Sequence, residues 1–249
     1  MLAIRLEGNR LDQIDIMIES SPFTANLSEI GLSREDYENL IDGIQGTPYT
    51  EDRSFGFIPE TTEQDRLSGN LVFRTATTIP DINETTQEIE PVEQKRTDLI
   101  PFEIDYEKGI LVVYANKEDT RKLTTRLSGL ADWGLTIVPL SLNLRLLYQN
   151  LSSDTYSTSI TGLRIQDFSI NEHTNGSYHL KIFEEHEGER LLDEYETDIS
   201  YITVEFEVRE EPVTVGFYGS GSVRFYSKTA EDDELFEHIK NMIVETEVA

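Results

Sequence analysis

The chain has 249 residues, of which 48 are acids and 21 are bases, giving a formal net charge of −27. Its length and 37% apolar content suit one large or two small globular domains, and no run approaches the roughly 18 apolar residues that a membrane helix needs. The absence of cysteine excludes disulfide scaffolds, thiolate metal sites and cysteine nucleophiles.

The opening segment, MLAIRLEGNR, shows no basic leader followed by a long apolar stretch. A cytoplasmic protein with no membrane contact is therefore expected. Leu2, Ile4 and Leu6 alternate along the chain, Gly8-Asn9 makes a turn, and Ile14, Ile16 and Ile18 resume the period of two, which predicts an N-terminal β-hairpin within 1–32. Ser33 followed by Arg34-Glu35-Asp36 reads as a helix cap with acids in the first turn, and Tyr37, Leu40, Ile41 and Ile44 form an apolar stripe, predicting a helix over 33–44. Short strands follow around Phe55–Ile58 and Asn70–Ala76. Residues 77–98 lack apolar periodicity and hold two prolines and many acids, so a long acidic loop is expected there.

A hairpin of Phe102–Asp105 and Ile110–Tyr114 turns around Glu107-Lys108-Gly109. The helix after it, 117–130, buries Leu123, Leu127 and Leu130. After a break at Trp133-Gly134 the pattern predicts a strand over Leu135–Val138 and a helix capped by Ser141 and running through Leu151. Strands are expected near Leu163–Ile170, Tyr178–Glu184, Tyr201–Val208, Val213–Tyr218 and Ser222–Ser227, and a last helix over 230–244. Residues 184–198 carry eight acids and one arginine without the ligand spacing of a calcium loop, and read as a salt-hydrated hairpin.

A shift of 112 residues lays 109–130 on 221–242. Gly109 then meets Gly221, Leu111 meets Val223, Val113 meets Phe225, Tyr114 meets Tyr226, Leu123 meets Leu235, Leu127 meets Ile239 and Leu130 meets Met242. The fold expected is α+β: tandem duplicated antiparallel-sheet units over 33–131 and 132–249, each with helices packed on one face, preceded by the hairpin. Over roughly 33–245 this element order resembles the saddle of the TATA-binding protein and its relatives. None of that family's characteristic DNA-contacting residues is found in the chain.

Seven lysines beside 31 glutamates resemble, in composition, the proteins of salt-loving archaea, in which excess carboxylate keeps a chain hydrated while salt screens its self-repulsion. The charge is uneven: −12 over residues 1–98, zero over 99–150 with six acids and six bases, and −15 over 151–249.

Sheets with helices on one side leave the other face open. Its outward residues, among them Tyr114, Tyr201, Tyr218, Arg224 and Tyr226, have the composition of a partner-binding surface. On the 117–130 helix, Lys117 with Arg121 and Lys122 with Arg126 form two i,i+4 basic pairs, candidates for contact with phosphate or an acidic partner. His173, His179 and His186 lie among glutamates but lack helical ligand spacing and any HExxH pattern, so no metal site is expected. Gly219-Ser220-Gly221 precedes a strand rather than a helix, so it is not a phosphate loop, and no GxSxG element occurs. With no cofactor motif and no catalytic motif, the expectation is a non-enzymatic binding or assembly subunit adapted to high salt, engaging a protein partner or a second copy through the sheet face. The alternatives are a nucleic-acid-binding regulator docking through the basic helix, and an enzyme whose site the sequence does not reveal.

Overall fold

In a computed structural model of the chain, the structure describes residues 23–82, 89–131, 134–153, 156–171, 174–208, 211–226 and 233–247. The hairpin expected over 2–18 lies outside them. The described residues are mixed α+β, an antiparallel sheet architecture with five helices. The chain divides into two compact units, one of residues 30–137 and one of residues up to 29 together with 138–249.

The 30–137 unit contains helix α1 (Arg34–Gly46), strands β2 (Phe55–Thr62), β3 (Arg66–Ile82), β4 (Ile89–Asp105) and β5 (Ile110–Val113), and helix α2 (Lys117–Leu130). Its strands run in the order β2-β3-β4-β5. Ser33 starts α1 with a complete capping box: its hydroxyl accepts from the Asp36 amide, and the Asp36 carboxylate accepts from the Ser33 amide. One face of the sheet and the two helices bury a single core that includes Tyr37, Leu40, Phe57, Ile104, Leu111 and Leu123. Phe102, Ile104, Leu111 and Val113 of the 102–114 hairpin lie in that core.

Residues 77–82 and 89–98, expected as loop, are instead the distal arms of β3 and β4, paired in register from Arg66↔Asp105 to Ile82↔Ile89. Past the point where β2 and β5 stop, no other strand among the described residues lies beside this ribbon. No side chain described there is buried, which accounts for the lack of apolar periodicity in the sequence. The prolines are tolerated because Pro80 faces Pro91. At this parity the amide positions point away from the partner strand, as the outward bond from the Arg74 amide to the Ser54 carbonyl shows at 2.8 Å.

The other unit contains β1 (Phe23–Gly31, through Glu29), helix α3 (Leu144–Ser152), β7 (Thr158–Asn171), β8 (Thr174–Lys181), α4 (Glu185–Glu194), β9 (Ile199–Val208), β10 (Glu211–Tyr218), β11 (Ser222–Phe225) and α5 (Asp233–Glu247). The short strand β6 (Thr136–Pro139) leads into it. Its strands run in the order β1-β11-β10-β9-β7-β8, and all of the registered pairs are antiparallel. Ile202, Val204 and Phe206 of β9 are buried on the helix face with Val215, Phe217, Val223 and Phe225. Phe236 of α5 packs edge-on against Phe23 and Phe225.

Two local expectations are corrected here. Asn143, not Ser141, caps α3, its side chain accepting from the Leu146 amide. Residues 185–194 form α4 rather than a hairpin. Arg190 bridges Glu187 at 2.8 Å and Glu194 at 2.6 Å, the i,i+3 and i,i+4 pairs of a helix, and Leu192 is buried. Gly188 lets this helix lie close on β7, since a Cβ there would sit 2.8 Å from that of Ile160.

Candidate functional site

Alternation along β9 sends Tyr201, Thr203 and Glu205 to the face opposite the helices, and strand register fixes what lies beside them. Across this face one row reads Asn26, Ser222, Tyr218, Tyr201, Arg164 and His179, each directly opposite the next on the neighbouring strand; its Asn26–Ser222 end is buried, the Ser222 hydroxyl donating to the Asn26 side chain at 2.6 Å. The adjacent row reads Thr24, Arg224, Gly216, Thr203, Gly162 and Lys181. Neither row contains an acid. In a chain of net charge −27, these two rows carry three permanent cations and no carboxylate.

The tyrosines form one cluster. The Tyr201 and Tyr218 rings lie 4.4 Å apart between centroids, inclined at 39°. The Tyr201 and Tyr226 hydroxyls share a hydrogen bond of 2.9 Å, and the Arg224 guanidinium lies 5.0 Å from the centre of the Tyr226 ring. Burial pushes the Tyr218 and Tyr226 hydroxyls up from their ordinary value, with Arg224 pulling the other way on each. Both stay protonated at neutral pH and keep their capacity to donate. Tyr226 is 38% exposed, which makes it the accessible end of the cluster.

The structure brings Tyr201, Tyr218, Arg224 and Tyr226 together, along with two residues that the sequence did not single out. Gly216 supplies the room: a Cβ there would stand 2.7 Å from the Tyr201 hydroxyl oxygen. A glycine in the middle of an otherwise apolar strand is the signal that could have found it. Arg164 lies opposite Tyr201 and donates from Nε to the Ser177 hydroxyl at 2.8 Å; only the register reveals it. Beyond the rows, Glu205 and Glu207 continue the same face.

Tyr114 belongs to the 30–137 unit and is not an exposed contact residue. It is 5% exposed, and its hydroxyl lies 3.4 Å from the buried carboxylate of Glu103. Arg66 bonds the same carboxylate at 2.7 Å.

The four bases of α2 are unequal. Lys122 is bound to Asp119 at 2.7 Å and Glu118 at 3.1 Å, and these acids hold its ammonium above the ordinary lysine range. The Arg126 guanidinium covers the Phe55 ring at 4.1 Å. Arg121 and Lys117 are exposed. Arg145 is taken up by Asp193 at 2.7 Å and Glu196 at 3.0 Å.

Of the three histidines, His173 lies outside the described residues, His179 ends the first row of the open face, and His186 stands beside Glu184 and Glu187 at 3.5 and 3.6 Å. Among the described residues no three histidines or carboxylates converge as metal ligands, and no helix is long and apolar enough to cross a membrane. A cleft lined by Asn150, Ser153, His238, Asn241, Met242, Glu245 and Thr246 runs between α3 and α5. It is polar, and the Asn150 amide is already bound to the Thr246 hydroxyl at 2.8 Å. No protein-family model matches the chain, and no curated protein sequence matches it significantly.

Proposed function

We propose that this chain is a non-enzymatic binding or assembly protein, adapted to high salt, that engages a protein partner through the open sheet face of its 138–249 unit. The carrying observation is the acid-free pair of rows around Tyr201, Tyr218, Tyr226, Arg164 and Arg224. Rigid aromatic side chains offer contact area at small entropic cost, and arginine adds planar, directional donors. In so acidic a molecule an approaching surface, itself acidic in a high-salt proteome, meets least repulsion there.

A gene duplication is part of the same reading. It is supported by β5 and β11, whose bounds, 110–113 and 222–225, differ by the 112-residue shift. The glycines that precede them, Gly109 and Gly221, have φ of 64° and 78°. The helices that follow bury Leu123 and Leu127 in one unit and Leu235 and Ile239 in the other. Along the chain a strand and a helix, β1-α1 and β6-α3, precede each run of longer strands, the order that gives the saddle-like resemblance.

Nucleic-acid docking through α2 is the weaker alternative, because Lys122 and Arg126 are already engaged within their own unit. The two readings separate in one set of experiments. Affinity capture from extract of the native host in molar KCl is expected to recover a stable partner with the parent and to lose it with Tyr226→Ala or Arg224→Ala. Recovery of the chain alone would overturn the assembly reading. A mobility shift in molar salt that is abolished by Arg121→Glu with Arg126→Glu would support the nucleic-acid reading instead.

A further inference from the structure

The sheet of the 138–249 unit ends at β8, and among the described residues no strand pairs with its outer side. We propose that this edge is a dimerisation surface, on which β8 of a second copy of the chain pairs antiparallel with it.

Composition is the first support. Residues 174–183, TNGSYHLKIF, contain no acid, one lysine and one histidine, in a chain that averages nearly one acid in five residues. Two copies, each of charge −27, can bring backbones to hydrogen-bonding distance only along a segment free of carboxylates. The acids resume immediately after it, at Glu184 and Glu185.

Exposure is the second. Phe183 is 84% exposed, the highest value of any large apolar side chain described, and Tyr178 is 38% exposed. The Lys181 ammonium lies 5.3 Å from the Phe183 ring. Edge strands are ordinarily blunted by proline, inward charge or covering chain, and β2, at the edge of the other unit, shows the contrast. There the Phe57 amide and carbonyl are bonded to the Thr47 carbonyl and Tyr49 amide, at 2.8 and 3.0 Å, and Pro59 follows. Among the described residues no chain covers β8 in this way, and it holds no proline.

Register is the third. The Ile182 amide donates to the Thr161 carbonyl at 2.9 Å, so even-numbered amides of this segment turn toward β7. The amides of Ser177, His179 and Lys181 therefore turn outward, as a row of donors ready for a second strand. Antiparallel self-pairing is isologous and closes at two copies. A two-fold axis normal to the sheet would leave the acid-free rows of both copies on the same side, doubling the surface assigned above to the partner.

The test is sedimentation equilibrium of the full chain in molar KCl. The parent is expected at twice the 28.5 kDa monomer mass. His179→Pro removes one outward amide without touching the bonds to β7, and Phe183→Glu places an acid on the exposed edge. Each is expected to weaken self-association at least tenfold with an unchanged circular dichroism spectrum, whereas Tyr226→Ala dimerises like the parent. A monomeric parent, or two folded variants that dimerise as well as the parent does, would overturn the proposal. Loss of partner capture with intact dimerisation would bear on the sheet-face reading alone.

Discussion

Gly109 and Gly221 occupy matching turns, yet replacing each with alanine is expected to have very different costs. Both backbones are left-handed, with φ of 64° and 78°, and an L side chain in that region costs about 1–2 kcal/mol. At Gly109 the new Cβ meets only the Ile30 carbonyl oxygen, at 3.3 Å, which a small local shift relieves. At Gly221 it would stand 2.7 Å from the Leu140 oxygen, 2.8 Å from the Leu27 oxygen and 3.1 Å from the Leu140 nitrogen. All three are backbone atoms, and two hydrogen bonds hold them in place: Leu27 amide to Gly221 carbonyl at 2.9 Å, and Leu140 amide to Leu27 carbonyl at 3.1 Å. Overpacking against atoms that cannot rotate away adds about 1–3 kcal/mol. The sum is about 1–2 kcal/mol for Gly109→Ala and about 2–5 kcal/mol for Gly221→Ala. At about 2–4 °C per kcal/mol, thermal unfolding by circular dichroism in molar KCl should separate the two clearly. Equal midpoint shifts, or a larger one for Gly109→Ala, would refute the close packing assigned to the β11 turn.

Tyr37 is fully buried and its hydroxyl has no hydrogen-bond partner, so Tyr37→Phe is expected to be neutral or to stabilise by about 1 kcal/mol in denaturant titrations. Burial pushes that hydroxyl up to about 12. Its contribution to stability is therefore complete below about pH 10 and is lost as pH rises toward 12; the phenylalanine variant should lack this part of the alkaline slope. Arg66→Met strands the Glu103 carboxylate, which is 3% exposed, and should cost about 3 kcal/mol. Adding Glu103→Gln should restore part of that loss, and a double variant less stable than the single would contradict the ion-pair reading. Gly216→Ala is expected to displace the Tyr201 ring and abolish partner capture with little change in midpoint, a result read by comparing pull-down with melting. For the high-salt reading, the melting temperature should keep rising from about 0.1 M to above 1 M KCl, beyond the range where the screening length falls from about 10 Å to about 3 Å; a fold fully stable in dilute buffer would oppose it.

What could be read from the sequence follows from what each element buries. α1 announces itself because a cap at Ser33, first-turn acids and an apolar stripe coincide, and α2 through its first-turn acids, Glu118 and Asp119, and its leucine stripe. The 102–114 hairpin does so through its alternation and Gly109. The distal arms of β3 and β4 are silent because, past β2 and β5, no strand among the described residues flanks them and none of their described side chains is buried, so nothing there selects apolar residues every second position. α4 is hidden because its eight-acid neighbourhood swamps the contribution of Leu192 and because Gly188, which reads as a turn, is in fact a close contact with Ile160. The site divides the same way. The clean alternation of 201–208 puts Tyr201 on the open face, whereas Arg164 joins it only through the pairing of β7 with β9. The contact of the buried Tyr114 hydroxyl with Glu103, eleven residues away on β4, follows from the strand pairing and not from the local pattern.

The charge pattern along the chain differs from the charge pattern across the proposed binding surface. Residues 99–150 are neutral overall, which suggests a basic landing place. In the structure three of those six bases are already engaged: Lys122 with Glu118 and Asp119, Arg126 with the Phe55 ring, and Arg145 with Asp193 and Glu196. A neutral stretch of sequence is therefore not a set of available cations. The acid-free rows arise instead largely in the segment that sums to −15, because a strand sends alternate residues to opposite faces and a sheet gathers one parity from several strands. Glutamates at 184, 187, 194 and 196 fall on α4 and its flanks, while Arg164, Lys181 and Arg224 share the open face with the tyrosines. A chain of net charge −27 can still keep two rows of a sheet face free of acids, and it does so by parity rather than by sequence blocks. That is why the face marked by Tyr201 and Tyr226, and the β8 edge beside it, carry the functional proposals, and the basic helix does not.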